Sequence, residues 1–145
     1  MERIELARTV DGFMRRLHAG IHEKAEARDS ERVGPFGGMV LMAIEEFQPV
    51  ALNKLVEHMR RDKAQISRVL QQLGGKGLLT RAPSKLDGRS SLISLTPKGQ
   101  CVVRDLQDIV GEVLENLLSP LAPDERQALL RLMETVQAHA DEERV

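Results

Sequence analysis

Tryptophan and tyrosine are absent from these 145 residues and phenylalanine occurs three times, so the aromatic platform that holds single-stranded nucleic acid by base stacking is missing. Duplex binding needs no such platform. A single cysteine, Cys101, excludes an internal disulfide. No stretch approaches the roughly 18 consecutive apolar residues of a membrane span. The opening Met1-Glu2-Arg3-Ile4-Glu5 carries charge where a signal peptide has its apolar segment, and a cytoplasmic protein is expected. One thiol and four histidines, His18, His22, His58 and His139, supply no nucleophile-base-acid constellation, so neither an enzyme nor a cofactor is expected.

What remains is an ordinary soluble composition, 41% apolar and 30% charged, in a length that suits one domain over residues 1–145. The formal net charge of −1 hides an asymmetry. Between Ala51 and Gln100 ten Lys and Arg face three acids, a local +7 that leaves −8 for the rest of the chain. A basic middle with acidic flanks suits a module that approaches phosphates while its outer segments stay away. A chance cluster on a solvated face is the alternative.

Apolar residues at Leu6, Val10, Phe13, Met14, Leu17 and Ile21 recur at three and four, one stripe on a long helix from Ile4 to about Arg28 that must find a partner. Gly34, Pro35, Gly37 and Gly38 predict a loop from Asp29 to Gly38, then a helix through Met39 to Phe47 that Pro49 stops. Leu52, Leu55, Val56 and Met59 give a short helix. The polar turn Arg60-Arg61-Asp62 leads to another, capped by Asp62 with Gln65 three residues on. Ile66, Val69, Leu70 and Leu73 form its docking face, leaving Lys63, Gln65, Ser67, Arg68, Gln71 and Gln72 on the others.

Gly77 is a C-cap candidate. Leu78 to Ala82 and the alternating Ser91 to Leu95 read as two strands, and Asp87-Gly88 between them marks an antiparallel hairpin with a basic tip. Thr96 and Pro97 open a long helix striped by Val102, Val103, Leu106, Ile109, Val110, Val113, Leu114, Leu117 and Leu118. A last helix follows Pro120 and Pro123, through Leu129, Leu130, Leu132, Met133 and Val136.

Short helix, polar turn, amphipathic helix and basic hairpin are the parts of a winged helix-turn-helix, here a mainly α fold with a small β-hairpin wing. A major groove about 12 Å wide admits one helix, and Arg68 and Gln71, one turn apart, can fork onto guanine and adenine edges. Lys63 suits a phosphate at the positive end of its helix, Ala64 a thymine methyl, and Arg89 an adjacent minor groove. A solvated surface charge is the ordinary alternative for each residue.

The spacing Asp87-Gly88-Arg89, five residues, then Leu95-Thr96-Pro97-Lys98-Gly99 resembles the wing-to-helix pattern of the MarR family, the multiple-antibiotic-resistance regulators, over nearly the whole chain. Asp62-Lys63 with Ile66-Ser67-Arg68, and later Leu73 and Lys76-Gly77-Leu78, resembles that family's recognition helix and exit. The resemblance implies a homodimeric transcription regulator, a repressor that grips double-stranded DNA at a pseudo-palindromic operator and that a small-molecule effector releases. The winged lobe would span about residues 39–99, and residues 4–28 and 97–143 would dimerise. Asp62, Lys63, Ala64, Gln65, Ser67, Arg68 and Gln71 would form the recognition set, with Ser84, Lys85, Asp87, Arg89 and Ser90 on the wing.

Ala51 stands where relatives usually have a capping side chain, and Gly74-Gly75 stands late in the recognition helix at a cost of about 1 kcal/mol each. A protein-interaction module with weak or no sequence-specific DNA binding is the competing reading. Relatives often hold aromatic acids or phenols in a cleft, for which Phe13, Met14, Phe36, Met39 and Met42 are candidates, with core packing as the alternative. His18 and His22 have the i, i+4 spacing of a metal pair but read better as a solvated face, and Cys101 as a buried packing thiol.

Overall fold

The computed structural model describes residues 2–84 and 91–143. Among them lie helices α1 (Arg3–Arg28), α2 (Gly34–Phe47), α3 (Leu52–Met59), α4 (Lys63–Gly75), α5 (Pro97–Leu117) and α6 (Pro123–Glu142). Three short strands, β1 (Val50–Ala51), β2 (Leu79–Pro83) and β3 (Ser91–Leu95), form an antiparallel sheet in the order β1-β3-β2. The chain gathers into two compact units, Met1–Val110 and Gly111–Val145.

In the first unit the core is built from Val40, Leu41 and Ile44 of α2, Leu55 of α3, Ile66, Leu70 and Leu73 of α4, Ile93 of β3 and Val103 of α5. Ile66, Leu70 and Leu73 are the expected docking face of α4, each at most 2% exposed. Full burial of one such side chain contributes roughly 1.5–3 kcal/mol, so three of them outweigh the two glycines that follow.

The expected loop from Asp29 to Gly38 is shorter than the sequence implied, because α2 begins at Gly34. Both Asp29 carboxylate oxygens accept from the amides that open the helix, Oδ1 from Val33 at 2.8 Å and Oδ2 from Gly34 at 2.9 Å. Pro35 sits in the first turn, where its missing N–H costs nothing. Gly37 and Gly38 lie inside the helix for packing. A Cβ on Gly37 would fall 2.8 Å from Val33 and one on Gly38 3.3 Å from Leu106. A two-residue strand, β1, also went unforeseen: Val50 faces Ile93 and Ala51 faces Leu92.

The exit of α4 is a Schellman motif. Leu78 N–H donates to the Leu73 carbonyl at 3.1 Å and Gly77 N–H to that of Gly74 at 3.0 Å, with Gly77 at φ 73. The next junction locks onto it. Thr96 N–H donates to the Leu78 carbonyl at 3.1 Å and its hydroxyl to the Gly77 carbonyl at 2.6 Å, while Thr96 Oγ1 accepts from Gly99 N–H at 3.0 Å to cap α5. A Cβ on Gly99 would overlap the Leu78 carbonyl oxygen, so the glycine is needed for close approach.

Outside the core, Ile4, Leu6, Val10 and Met14 on α1 are exposed, as are Leu130, Leu132, Met133 and Val136 on α6. α6 has no buried residue. Its start is fixed locally, with the Glu125 carboxylate accepting from Ala122 N–H at 2.9 Å.

Gly99→Ala should destabilise the protein by about 2 kcal/mol or more, because the obstructing atom is backbone and cannot rotate aside. Gly75→Ala should raise stability by about 0.5–1 kcal/mol, since nothing lies within 4 Å of the Cβ it would add. Urea unfolding monitored by circular dichroism measures both.

Candidate nucleic-acid interface

α3 and α4 are joined by a turn in which Arg60 adopts the left-handed conformation, φ 51 and ψ 45, which ends α3 within one residue. Asp62 then caps α4, its carboxylate accepting from Gln65 N–H at 3.3 Å. This is the expected cap, although the return bond from the Gln65 side chain is not seen among the described residues. α3 itself starts at Ala51 with no side-chain cap.

With Ile66, Leu70 and Leu73 turned into the core, Lys63, Ala64, Arg68 and Gln71 are exposed and Gln65 and Ser67 half-buried. Asp62 is exposed, its carboxylate committed to the cap. Of the wing residues, Ser84 follows β2 and is half-buried. Lys85, Asp87, Arg89 and Ser90 lie outside the described residues, as does the Asp87-Gly88 turn.

The basic excess divides into structural and outward-facing charges. Lys76 Nζ donates to the Glu31 carbonyl at 2.7 Å, and Lys98 Nζ pairs with the Glu31 carboxylate at 3.3 Å and donates to the Lys76 carbonyl at 3.1 Å. These bonds fasten the loop before α2 to the exit of α4. Lys54 pairs with Glu57 at 3.3 Å on the surface. Arg60, Arg61, Lys63, Arg68 and Arg81 are exposed and have no carboxylate partner among the described residues. Arg61 lies over the Phe36 ring, 5.8 Å from its centroid, at the outer reach of a cation–π contact.

Phe36 and Met42 pack against the core from its margin, Phe13 is half-buried, and Met14 and Met39 are exposed. Two clefts in the first unit are lined by other residues, one between α4 and β2 and one between the end of α1 and α5. His18 and His22 are exposed on α1, and no cluster of three metal-ligating side chains occurs among the described residues. Cys101 is exposed, not buried as expected. It precedes the buried Val103 by two residues, which on a helix is a rotation of about 200°, so it falls on the opposite side of α5. Among the described residues no helix is long and apolar enough to cross a membrane.

Sequence reasoning placed Arg60 and Arg61 in the polar turn and Arg81 in a strand, and gave none of them a part in binding. The available signal for Arg81 was its position two residues after Leu79, on the same face of a strand that follows α4 closely.

A capped helix with an outward polar face, preceded by a short helix and followed by an antiparallel hairpin, defines a winged helix-turn-helix protein. A sequence model of the MarR family matches residues 38–91. The organic hydroperoxide resistance transcriptional regulator of Bacillus subtilis is 32% identical over 101 residues, which is 68% of this chain and 68% of that protein. PcaV, a transcriptional regulator from Streptomyces coelicolor solved in complex with its natural ligand, is 28% identical, with a TM-score of 0.63 over 97% of this chain and 99% of that one. A cysteine-to-serine mutant of MarR from E. coli complexed with operator DNA superposes with a TM-score of 0.70 at 23% identity, covering 92% and 94% of the two chains. The chain belongs to the MarR family, whose members are transcriptional regulators and not enzymes.

Loss of the cap should be measurable independently of any ligand. Asp62→Ala should cost about 1 kcal/mol of stability, and Asp62→Asn, which keeps an acceptor oxygen, much less, by thermal or urea denaturation.

Proposed function

We propose that this protein is a repressor that binds a pseudo-palindromic operator in double-stranded DNA as a homodimer. The observation that carries this is the outer face of α4, where Lys63, Ala64, Arg68 and Gln71 stand exposed over a helix anchored by three buried side chains. That face is rigid and basic, and of the size a major groove admits. Arg68 and Gln71 would read base edges and Lys63 would bind a phosphate, with Gln65 and Ser67 at the edge of the same surface. The wing, with Ser84, Lys85, Arg89 and Ser90, would lie against the neighbouring backbone and minor groove.

The whole chain would act as one functional unit, with the winged lobe over about residues 39–99 and the outer helices in dimerisation. The second copy is called for by the apolar residues left bare on α1 and α6. Two-fold symmetry would place the two recognition helices about 34 Å apart, one turn of duplex. Release by a small-molecule effector extends from PcaV, whose structure holds its natural ligand.

A mobility-shift titration with the DNA upstream of its own gene should give a complex that weakens steeply with salt. No shift at low ionic strength would overturn the reading. Arg68→Ala should reduce operator affinity about 5- to 150-fold, the equivalent of about 1–3 kcal/mol for one base contact. For the dimer, Leu132→Glu with Val136→Glu alters residues 64% and 67% exposed in the single chain, so its own core is untouched. Sedimentation should show this variant as a monomer and the wild type as a dimer, and equal masses would sink that part of the proposal.

A further inference from the structure

Between α4 and β2 an open cleft is lined by Ser67, Leu70, Gln71, Gly74, Leu79 and Arg81. Its floor is apolar and its rim polar, with Arg81 the charged group among the described lining residues. Ser67, Gln71 and Gly74 follow at i, i+4 and i+7, so they form one stripe of α4 facing the strand. Gly74, lacking a side chain, lets β2 close on the helix, and a Cβ there would already lie 3.6 Å from Leu79. Leu79 and Arg81, two residues apart, share a face of β2, with Leu79 buried against the helix and Arg81 exposed. Arg81 stands opposite the buried Ile93, so its stem begins on the core-facing side and its guanidinium emerges at the edge, beside the recognition stripe.

The charge of that rim is one-sided. Arg81 offers a guanidinium that only donates, Gln71 and Ser67 can each donate as well as accept, and among the described residues no carboxylate lines the cleft. Asp62, the acid that opens α4, is occupied by the Gln65 amide. Such a rim matches a group that carries negative charge and only acceptor oxygens.

We propose that this cleft is a backbone clamp, in which Arg81, with Ser67 beside it, binds a DNA phosphate at the lip of the groove that α4 enters, leaving Gln71 to the base edges. The inference rests on the DNA-binding reading above and adds a contact to it. Arg81 is a positioning contact that fixes how deeply and in which register α4 sits, while Arg68 reads bases. The clamp is built into the α4–β2 junction, so it moves with the recognition helix and is independent of the wing tip.

The test is fluorescence anisotropy of the full-length protein across a salt series, with two labelled duplexes: the DNA upstream of its own gene and a random-sequence duplex of equal length. Arg81→Ala should weaken binding to both by a similar factor and lower the slope of log affinity against log salt by about one unit per bound chain. Arg81→Lys, which keeps the charge, should restore the slope. Circular dichroism should show unchanged melting for both variants, since Arg81 is exposed. If the wild type binds and Arg81→Ala leaves affinity and slope unaltered, the clamp is refuted while the DNA-binding reading survives. A loss confined to the upstream duplex with an unchanged slope would make Arg81 a base reader and also refute the clamp. If the wild type binds neither duplex, both proposals fall.

Discussion

The carbonyl of Leu78 is the point on which the winged lobe depends. It accepts the Thr96 amide, and Gly99 lies flush against it, so the exit of the fourth helix, the end of the hairpin and the start of the fifth helix meet at one peptide group. Thr96 completes the joint by donating to Gly77 and accepting from Gly99. A side chain at position 99 would force these three elements apart. The angle between recognition helix and hairpin is therefore set by backbone contact, which tolerates less adjustment than side-chain packing.

Much of this was legible in the sequence because the signals were local. Asp62 as a cap, Gly77 as the left-handed helix stop, Thr96-Pro97 as a helix opening and the stripe Ile66-Val69-Leu70-Leu73 each depend on neighbours within one or two turns. The spacing of Leu95-Thr96 and Gly99 was visible as a family pattern, but its cause, the Leu78 carbonyl, lies far back in the chain, before the hairpin. The errors arose where neighbouring side chains, invisible in the pattern, decide the outcome. Gly37 and Gly38 look like loop residues until Val33 and Leu106 are seen to occupy the space beside them. The strand Val50–Ala51 is too short to show alternation and exists only because Ile93 and Leu92 lie opposite. For the candidate interface, exposure of Lys63, Arg68 and Gln71 followed from the apolar stripe, whereas the placement of Arg81 beside them required the register of the sheet.

Charge illustrates the difference between a tally and an arrangement. Ten basic residues in the middle segment drew attention to it, yet Lys76 and Lys98 turn out to be fasteners that hold Glu31 and the loop before the second helix against the end of the fourth. Among the described residues, the five that face outward without a carboxylate partner, Arg60, Arg61, Lys63, Arg68 and Arg81, lie on the turn, the fourth helix and the adjoining strand. A smaller charge gathered on one rigid surface is more selective than a larger one spread over flexible side chains, because its members act on the same stretch of polyanion.

The final helix has a consequence for how the molecule behaves in dilute solution. Twenty residues of which none is fully buried and only Ala128 and Leu129 are half-buried have little packing of their own to keep them helical, and isolated helices of that length are marginal in water. Whatever covers Leu130, Leu132, Met133 and Val136 therefore supplies part of the free energy that orders this segment. In the proposed dimer its helicity would obey mass action, rising and falling with the concentration of the covering surface, so that folding and association at the C-terminal end would be a single equilibrium.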